Sequence, residues 1–305
     1  MAESNLYLQR INLVINTIRE NLTDDLNLDY LAALAAFSPF HFHRIFRSIV
    51  GETLNQFVQR VRLDRATALL RSSPRMSLTD AALASGFKSL AVFSRAFKKR
   101  FGIAASRWDR HTPLRESKNG QILDGLPVYT LGTLSDIDDE GAFSVTLREL
   151  PQQCYAYIRV FDSYAASGVV QAYEDLLTWA RSQGVDPLAW TLIGMSQDDP
   201  TITPLAQCSY DIGLGLTDAL AKQINVVEPV SMTELPAQRI AAIHCAGDIR
   251  VVDRAWQYLF RYWLPRSRYQ PANFPAMELY RRQPMELGWS DYDLDCAIPV
   301  VDLVA

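Results

Sequence analysis

Phe37-Ser38-Pro39-Phe40-His41-Phe42-His43-Arg44-Ile45-Phe46-Arg47, closed by Gly51, reads as a helix with a marked start and stop. Ser38 can cap the free amides of the first turn, and Pro39 suits the first helical position, where no amide hydrogen is needed. Phe42, Ile45, Phe46 and Ile49 recur at helical spacing and predict the buried stripe. At about 100° per residue, Phe40, Arg44 and Arg47 fall on the opposite side with His43 on the flank.

The same pattern returns downstream. Leu28–Phe37 resembles Leu78–Phe87, and Phe42–Arg47 resembles Phe93–Lys98 at an offset of 51, which Gly51 and Gly102 share. Each copy predicts a short alanine-rich helix, a tight turn and a second helix. In the second copy Ser89 is the cap, Phe93, Ala96 and Phe97 face inward, and Ala91, Arg95 and Lys98 face outward beside Ser94. Two short helices at a turn, the second presenting polar and basic groups, describe a helix-turn-helix. Arginine can donate a bidentate fork to guanine in the major groove, which makes Arg44 and Arg95 base-reading candidates. Lys98, Lys99 and Arg100 are better suited to phosphates, where charge attraction carries little sequence information. An ordinary solvated helix face is the alternative, and repetition of the whole pattern disfavours it.

Leu54, Phe57, Val58, Val61, Ala68 and Leu69 predict an amphipathic helix between the copies, capped by Thr53. Such a helix would hold two reading helices at a fixed separation, about 34 Å for adjacent turns of DNA.

Charge divides the chain as the repeat does. Met1–Lys118 holds 18 Lys and Arg against 10 Asp and Glu, whereas Asn119–Ala305 holds 12 against 24. A basic half joined to an acidic half confines polyanion binding to the N-terminus. At 305 residues the chain suits two domains, and its 49% hydrophobic content excludes a largely disordered protein. Turn formers between Thr112 and Pro127 mark a linker. The expected organisation is an all-α tandem helix-turn-helix domain over 1–111, a linker over 112–127 and a duplicated α+β domain over 128–305. The absence of a long apolar run and of a signal-peptide pattern suggests a cytoplasmic protein, with no membrane partner. The four widely spaced cysteines read as buried thiols.

The N-terminal segment, roughly Asn5 to Asp109, resembles the AraC/XylS family of transcription regulators. That resemblance implies DNA base contacts at Phe40, His43, Arg44, Leu90, Ala91, Ser94 and Arg95. It adds Ser38, Arg47 and Ser89 to Lys98, Lys99 and Arg100 as phosphate contacts. Phe40 and Ala91 depart from the common polar choices and could meet thymine methyls.

The acidic half repeats as well. Val145–Pro151 resembles Val230–Pro236 at an offset of 85, and each copy continues as a strand, a helix and two further strands. Two β-α-β-β units follow, each expected to form an antiparallel sheet covered by its own helix. Aligning Pro200 with Pro284 sets Gly194 against Glu278, a carboxylate where the first copy has no side chain. Alternation along Phe274–Tyr280 would put Phe274, Ala276, Glu278 and Tyr280 on one face. A carboxylate among aromatics can balance a cationic, apolar ligand; an edge glutamate meeting solvent is the alternative.

This half, roughly Phe143 to Leu303, resembles the GyrI-like effector-binding domain attached to some AraC-type regulators. The resemblance implies a small-molecule effector, lipophilic cations among the candidates, with Tyr157, Trp190, Phe274, Glu278 and Tyr280 as the binding residues. Double-stranded DNA and RNA polymerase are the other implied partners. No cofactor and no metal are expected, because His41, His43, His111 and His244 form no local ligand motif. A regulator rather than an enzyme is therefore the leading reading. The alternatives are a GyrI-like hydrolase using His244 with a remote aspartate, and a DNA-architectural protein without a sensor.

Overall fold

A computed structural model describes residues 5–73, 75–110, 143–164, 167–200 and 202–303. The linker expected at 112–127, and the domain limits at 111 and 128, fall outside those residues.

The first part is all helical: α1 (Asn5–Glu20), α2 (Leu28–Leu34), α3 (Pro39–Val50), α4 (Leu54–Ser72), α5 (Leu78–Ala84) and α6 (Leu90–Phe101). The start signals act as expected. Ser38 Oγ accepts from the His41 amide at 3.4 Å, and Ser89 Oγ accepts from the Val92 amide at 3.3 Å. Thr53 and Gln56 cap α4 reciprocally. Both presenting helices, α3 and α6, end at left-handed glycines, Gly51 and Gly102. At the α2–α3 turn Ala36 takes a left-handed φ of 54°, where the second copy places Gly86 at 84°.

Two hydrophobic cores follow from this repeat. Phe42 and Phe46 pack with Phe57 and Val61 of α4, while Phe93 and Phe97 pack with Leu63, Ala66 and Leu70 from farther along it. A single helix thus serves both cores. It is also buried on a side that the sequence pattern left polar: Arg60 and Thr67 are inside.

The second part contains β1 (Thr146–Leu150), β2 (Gln153–Phe161), α7 (Gly168–Ser182), β3 (Thr191–Ser196), β4 (Ser209–Leu216) and the short α8 (Asp218–Ala221). The second copy supplies β5 (Ser231–Leu235), β6 (Gln238–Asp248), α9 (Ile249–Gln257), β7 (Tyr269–Pro271), β8 (Ala276–Tyr280) and β9 (Asp291–Asp302). Helix α9 continues through a π-helical turn, Tyr258–Trp263.

The duplication was legible, but its assembly differs from two self-contained units. The strands run β1-β6-β9-β8-β3-β4-β2-β5 in one antiparallel path, with β7 added beside β9. The order is symmetric about the β3–β8 seam. Thr146 pairs with Ala242, and the equivalent residues Ser231 and Tyr157 pair likewise. Each copy has therefore given its opening strand to the other. Local alternation specifies strands and faces, but not which copy supplies the neighbour.

Helix α7 covers Ala156, Ile158, Leu192, Ile212 and Leu214. Helix α9 covers Ile243, Cys245, Leu294 and Cys296 on the same face. The opposite face gathers Tyr155, Tyr157, Ile193, Met195, Met277 and Leu279. Helix α1 docks on that opposite face at one end of the sheet. Gln9 donates to the Val230 carbonyl at 2.9 Å, Asn12 to Ser231 Oγ at 3.0 Å and Asn16 to the Tyr157 hydroxyl at 3.0 Å. Farther along, Arg19 donates to the Gln197 carbonyl at 2.5 Å.

Candidate DNA-reading surface and effector site

Burying one stripe of α3 and α6 leaves the other outside. Phe40, His43, Arg44 and Arg47 of α3 are exposed, as are Leu90, Ala91, Arg95, Lys98 and Lys99 of α6; Ser94 is half-buried. Phe40 is 68% exposed, and the Arg44 guanidinium lies 5.8 Å from its ring centroid. Ser38 and Ser89 occupy the two helix N-termini, where backbone amides and the helix dipole favour an anion.

Arg100 behaves differently from the other expected phosphate contacts. It turns away from the reading face, donates to the Ile202 carbonyl at 3.2 Å and lies 3.9 Å from Asp64. Ile202 itself is buried in the α4–α6 core. Arg100 is thus an interdomain residue here, which leaves Lys98 and Lys99 as the expected phosphate contacts that α6 presents to solvent.

Glu278 sits on the helix-covered face of β8. Its cross-strand neighbours are Gly194 on β3 and Cys296 on β9. Its Oε2 accepts from the Tyr210 hydroxyl at 2.6 Å and the Tyr280 hydroxyl at 3.0 Å, and those two hydroxyls are 3.4 Å apart. Burial, reinforced by the Glu278 charge, pushes both phenols well above their ordinary pKa, so they remain donors at neutral pH. Tyr280 packs against both the α7 and the α9 clusters, which places the site at the seam between the copies. Among the described residues, no Lys, Arg or His lies within ion-pair distance of this half-buried carboxylate.

Gly194 makes that arrangement sterically possible. A Cβ there would lie 1.7 Å from the Tyr210 hydroxyl and 3.2 Å from Glu278 Oε2. The unequal pair seen in the duplicated sequence is therefore a direct contact across the seam.

Three of the five expected effector residues are displaced from this cluster. Tyr157 belongs to the opposite face, where it stacks on Tyr155 and accepts from Asn16. Phe274 precedes the strand, because β8 begins at Ala276 after Pro275; alternation does not reach it, and it packs with Met277 and Leu279 on that opposite face. Trp190 shares the face of Leu192 and Gly194. It lies four residues before Gly194, about 13 Å along an extended chain. Glu278 and Tyr280 are brought together. Tyr210 was not anticipated, although alternation along β4 placed it on the same face as Ile212 and Leu214. Tyr292, whose phenol is raised by burial and then by Glu278, is another neighbour.

His244 does find an aspartate: its Nε2 is 2.9 Å from Asp293 Oδ1. The pair is solvent-exposed, and alternation with Ile243 and Cys245 puts it on the sheet face away from Glu278. Cys245 and Cys296 are buried free thiols with sulfurs 3.7 Å apart. Among the described residues no group of three or more His, Cys, Asp or Glu side chains is arranged to hold a metal ion. No described helix is long and apolar enough to cross a membrane.

Comparison with known proteins finds a family match in each half of the chain. Residues 31–111 match the family profile of a helix-turn-helix domain, and residues 143–301 match that of a GyrI-like small molecule binding domain. The chain is 28% identical to the SPbeta prophage-derived putative transcriptional regulator YosT of Bacillus subtilis over 142 residues, 47% of this chain and 91% of that protein. It is 32% identical to the regulatory protein SoxS of Salmonella typhimurium over 103 residues, 34% of this chain and 94% of that protein. Among solved structures, the DNA-binding domain of AdpA in complex with a target DNA is 28% identical, with a TM-score of 0.30, covering 32% of this chain and 86% of that one.

Proposed function

Because the chain belongs to the AraC/XylS-type regulators that carry a GyrI-like small-molecule-binding domain, we propose that it controls transcription at specific operators in response to a lipophilic cation held at Glu278. The exposed faces of α3 and α6 support sequence reading. Arg44 and Arg95 supply the bidentate donors, His43 and Ser94 the shorter polar contacts, and Phe40, Leu90 and Ala91 apolar contacts suited to thymine methyls. Arg47, Lys98, Lys99 and the capped helix starts at Ser38 and Ser89 position the helices on the phosphates. RNA polymerase contact belongs to the same reading, as a surface outside these faces.

The observation that carries the effector reading is the environment of Glu278. A half-buried carboxylate, set between phenol hydroxyls and without a protein cation, is an incomplete charge pair. A ligand ammonium or phosphonium would complete it, with Tyr210, Tyr280 and Tyr292 as aromatic neighbours of its apolar body. Titrating the full chain with tetraphenylphosphonium and with neutral triphenylphosphine oxide tests this reading. Saturable binding of the cation alone is expected. Equal binding of the neutral compound, or binding of neither, would overturn the cationic assignment, and footprinting of the full chain on genomic DNA tests the operator reading separately.

A further inference from the structure

Three consecutive residues at the start of β4 make contacts on both sides of the sheet. Tyr210 points to the helix-covered face and binds Glu278. Ser209 and Asp211 point to the other face, where α1 and α4 of the helical part dock. The amide and hydroxyl of Ser209 both donate to Asp198 Oδ2 at 2.9 Å. The other oxygen of that carboxylate accepts from Arg19 of α1 at 2.9 Å and Arg60 of α4 at 2.5 Å. Asp211 holds Arg159 at 2.6 and 2.7 Å, and Arg159 in turn donates to Asn16 of α1 at 2.9 Å. We propose that Ser209-Tyr210-Asp211 couples occupancy of the Glu278 site to the seating of α1 and α4, so that effector and DNA alter each other's affinity.

The coupling rests on the reading of Glu278 as the effector site. A cation at the Glu278 carboxylate draws on its negative charge and so loosens the hydrogen bond that Oε2 accepts from the Tyr210 hydroxyl. Tyr210 then moves, and an extended strand transmits that movement to the residues on either side of it. Ser209 carries it to the Asp198 carboxylate, and Asp211 carries it to Arg159. Helix α4 is the receiving element that matters most, since it contributes to the cores beneath both reading helices. Its grip on the same turn is extensive: Asp64 accepts from Thr203 at 2.9 Å, and Arg71 pairs with Asp199 at 3.2 Å.

The junction is also under-bonded. Among the described residues, Asn12 Oδ1, Arg19 Nε, Arg100 Nε and Arg159 Nη1 are buried there without a hydrogen-bond partner from the protein itself. Such groups weigh against the docked arrangement and lower the cost of a second one in which the same charges pair differently. Ligand binding can shift that balance only through its different affinity for the two arrangements, and the resulting linkage is reciprocal.

Hydrogen exchange on the full chain tests the coupling without a known effector. Tyr210→Phe keeps the ring and removes the hydroxyl. Amide exchange in α1 and α4 should then change about fivefold or more while α7 stays as it was, the lower end of ordinary allosteric coupling. Asp198→Asn should alter the same two helices and leave Tyr210→Phe with no further effect; Ser209→Ala replaces it should that variant fail to fold. Unchanged exchange in α1 and α4 of Tyr210→Phe, or two effects that simply multiply, would overturn the coupling. Tetraphenylphosphonium separates it from the effector reading. Cation binding that leaves α1 and α4 unchanged overturns the coupling alone. No cation binding, together with the Tyr210→Phe response, supports the mechanical link and overturns the assignment of the cation.

Discussion

Gly194 and Glu278 face each other across the β3–β8 pair, each at the position its partner holds in the other copy of the duplicated domain. The copies differ here and at the two phenols that hold the acid, since Tyr280 is matched by Ser196 and Tyr210 by Leu294. One kept a carboxylate, and the other kept the space into which Tyr210 reaches. Gly194→Ala should destabilise the chain by about 1–3 kcal/mol, the usual cost of overpacking a filled interior. Because the clash is with the rigid end of a phenol, it should also pull Tyr210 off Glu278. Urea unfolding measures the first effect and a crystal structure of the variant the second; a variant of unchanged stability with Tyr210 in place would contradict both.

Arg44→Ala and Arg95→Ala should each reduce discrimination between operator and random DNA by about 1–3 kcal/mol, the worth of a bidentate base contact. Lys98→Ala should weaken both kinds of binding and reduce the salt slope by about one. Arg100→Ala should leave the salt slope alone, because its guanidinium is turned to Ile202 and Asp64. Competition binding at several salt concentrations distinguishes the four variants.

Glu278→Gln preserves size and removes the charge. If the cation is desolvated against it, affinity for tetraphenylphosphonium should fall by about 2–5 kcal/mol. A solvent-exposed role would cost no more than about 1 kcal/mol. Calorimetry on the two folded proteins decides between them.

Burial raises the Asp64 carboxyl to about 6 from an ordinary 3.8, against the opposing pull of Arg100 and Arg60. The folded state therefore holds this proton more tightly than the unfolded one. The contribution of Asp64 is greatest below about pH 4 and fades as pH rises through about 6. Asp198 runs the other way: burial disfavours its charge, but Arg19 and Arg60 prevail and hold it well below the usual range. Relative to Asp64→Asn, wild-type stability should decline between about pH 4 and 6. Urea midpoints across that range report it, and a constant difference would mean that the carboxyl titrates normally.

Ala36 carries a backbone conformation that the equivalent turn gives to Gly86. Left-handed alanine costs about 1–2 kcal/mol, and glycine returns part of that gain as entropy lost on folding. Ala36→Gly should stabilise the first helix-turn-helix by about 0.5–1 kcal/mol, read from thermal unfolding. A loss of stability would mean that the turn is not strained.

What was legible in the sequence was local. Ser38-Pro39, Thr53, Ser89, Gly51 and Gly102 are caps whose chemistry needs only neighbours in the chain, and they fixed the helices and therefore their exposed faces. Glu278 was legible because the two copies could be compared. Arg60 was not: a guanidinium inside a helix reads as surface, yet its side chain is only 2% exposed because Glu52, Asp64 and Asp198 surround it. Arg100 was misplaced for the same reason. Tyr157 and Phe274 show different limits: the resemblance that named Tyr157 does not say which face of β2 it occupies, and alternation cannot carry Phe274 across Pro275 when β8 begins only at Ala276. Nor can any local pattern reveal that β1 pairs with a strand from the other copy.

That exchange has a consequence for how the domain could be cut. A break near Lys222 would leave each fragment holding a strand whose hydrogen-bond partner departed with the other fragment. Two identical fragments could restore every pairing only by meeting about a rotation axis and trading those strands. The geometry is that of an intertwined homodimer written into one polypeptide, whose two halves need not be identical: position 194 has no side chain where the equivalent 278 carries an acid.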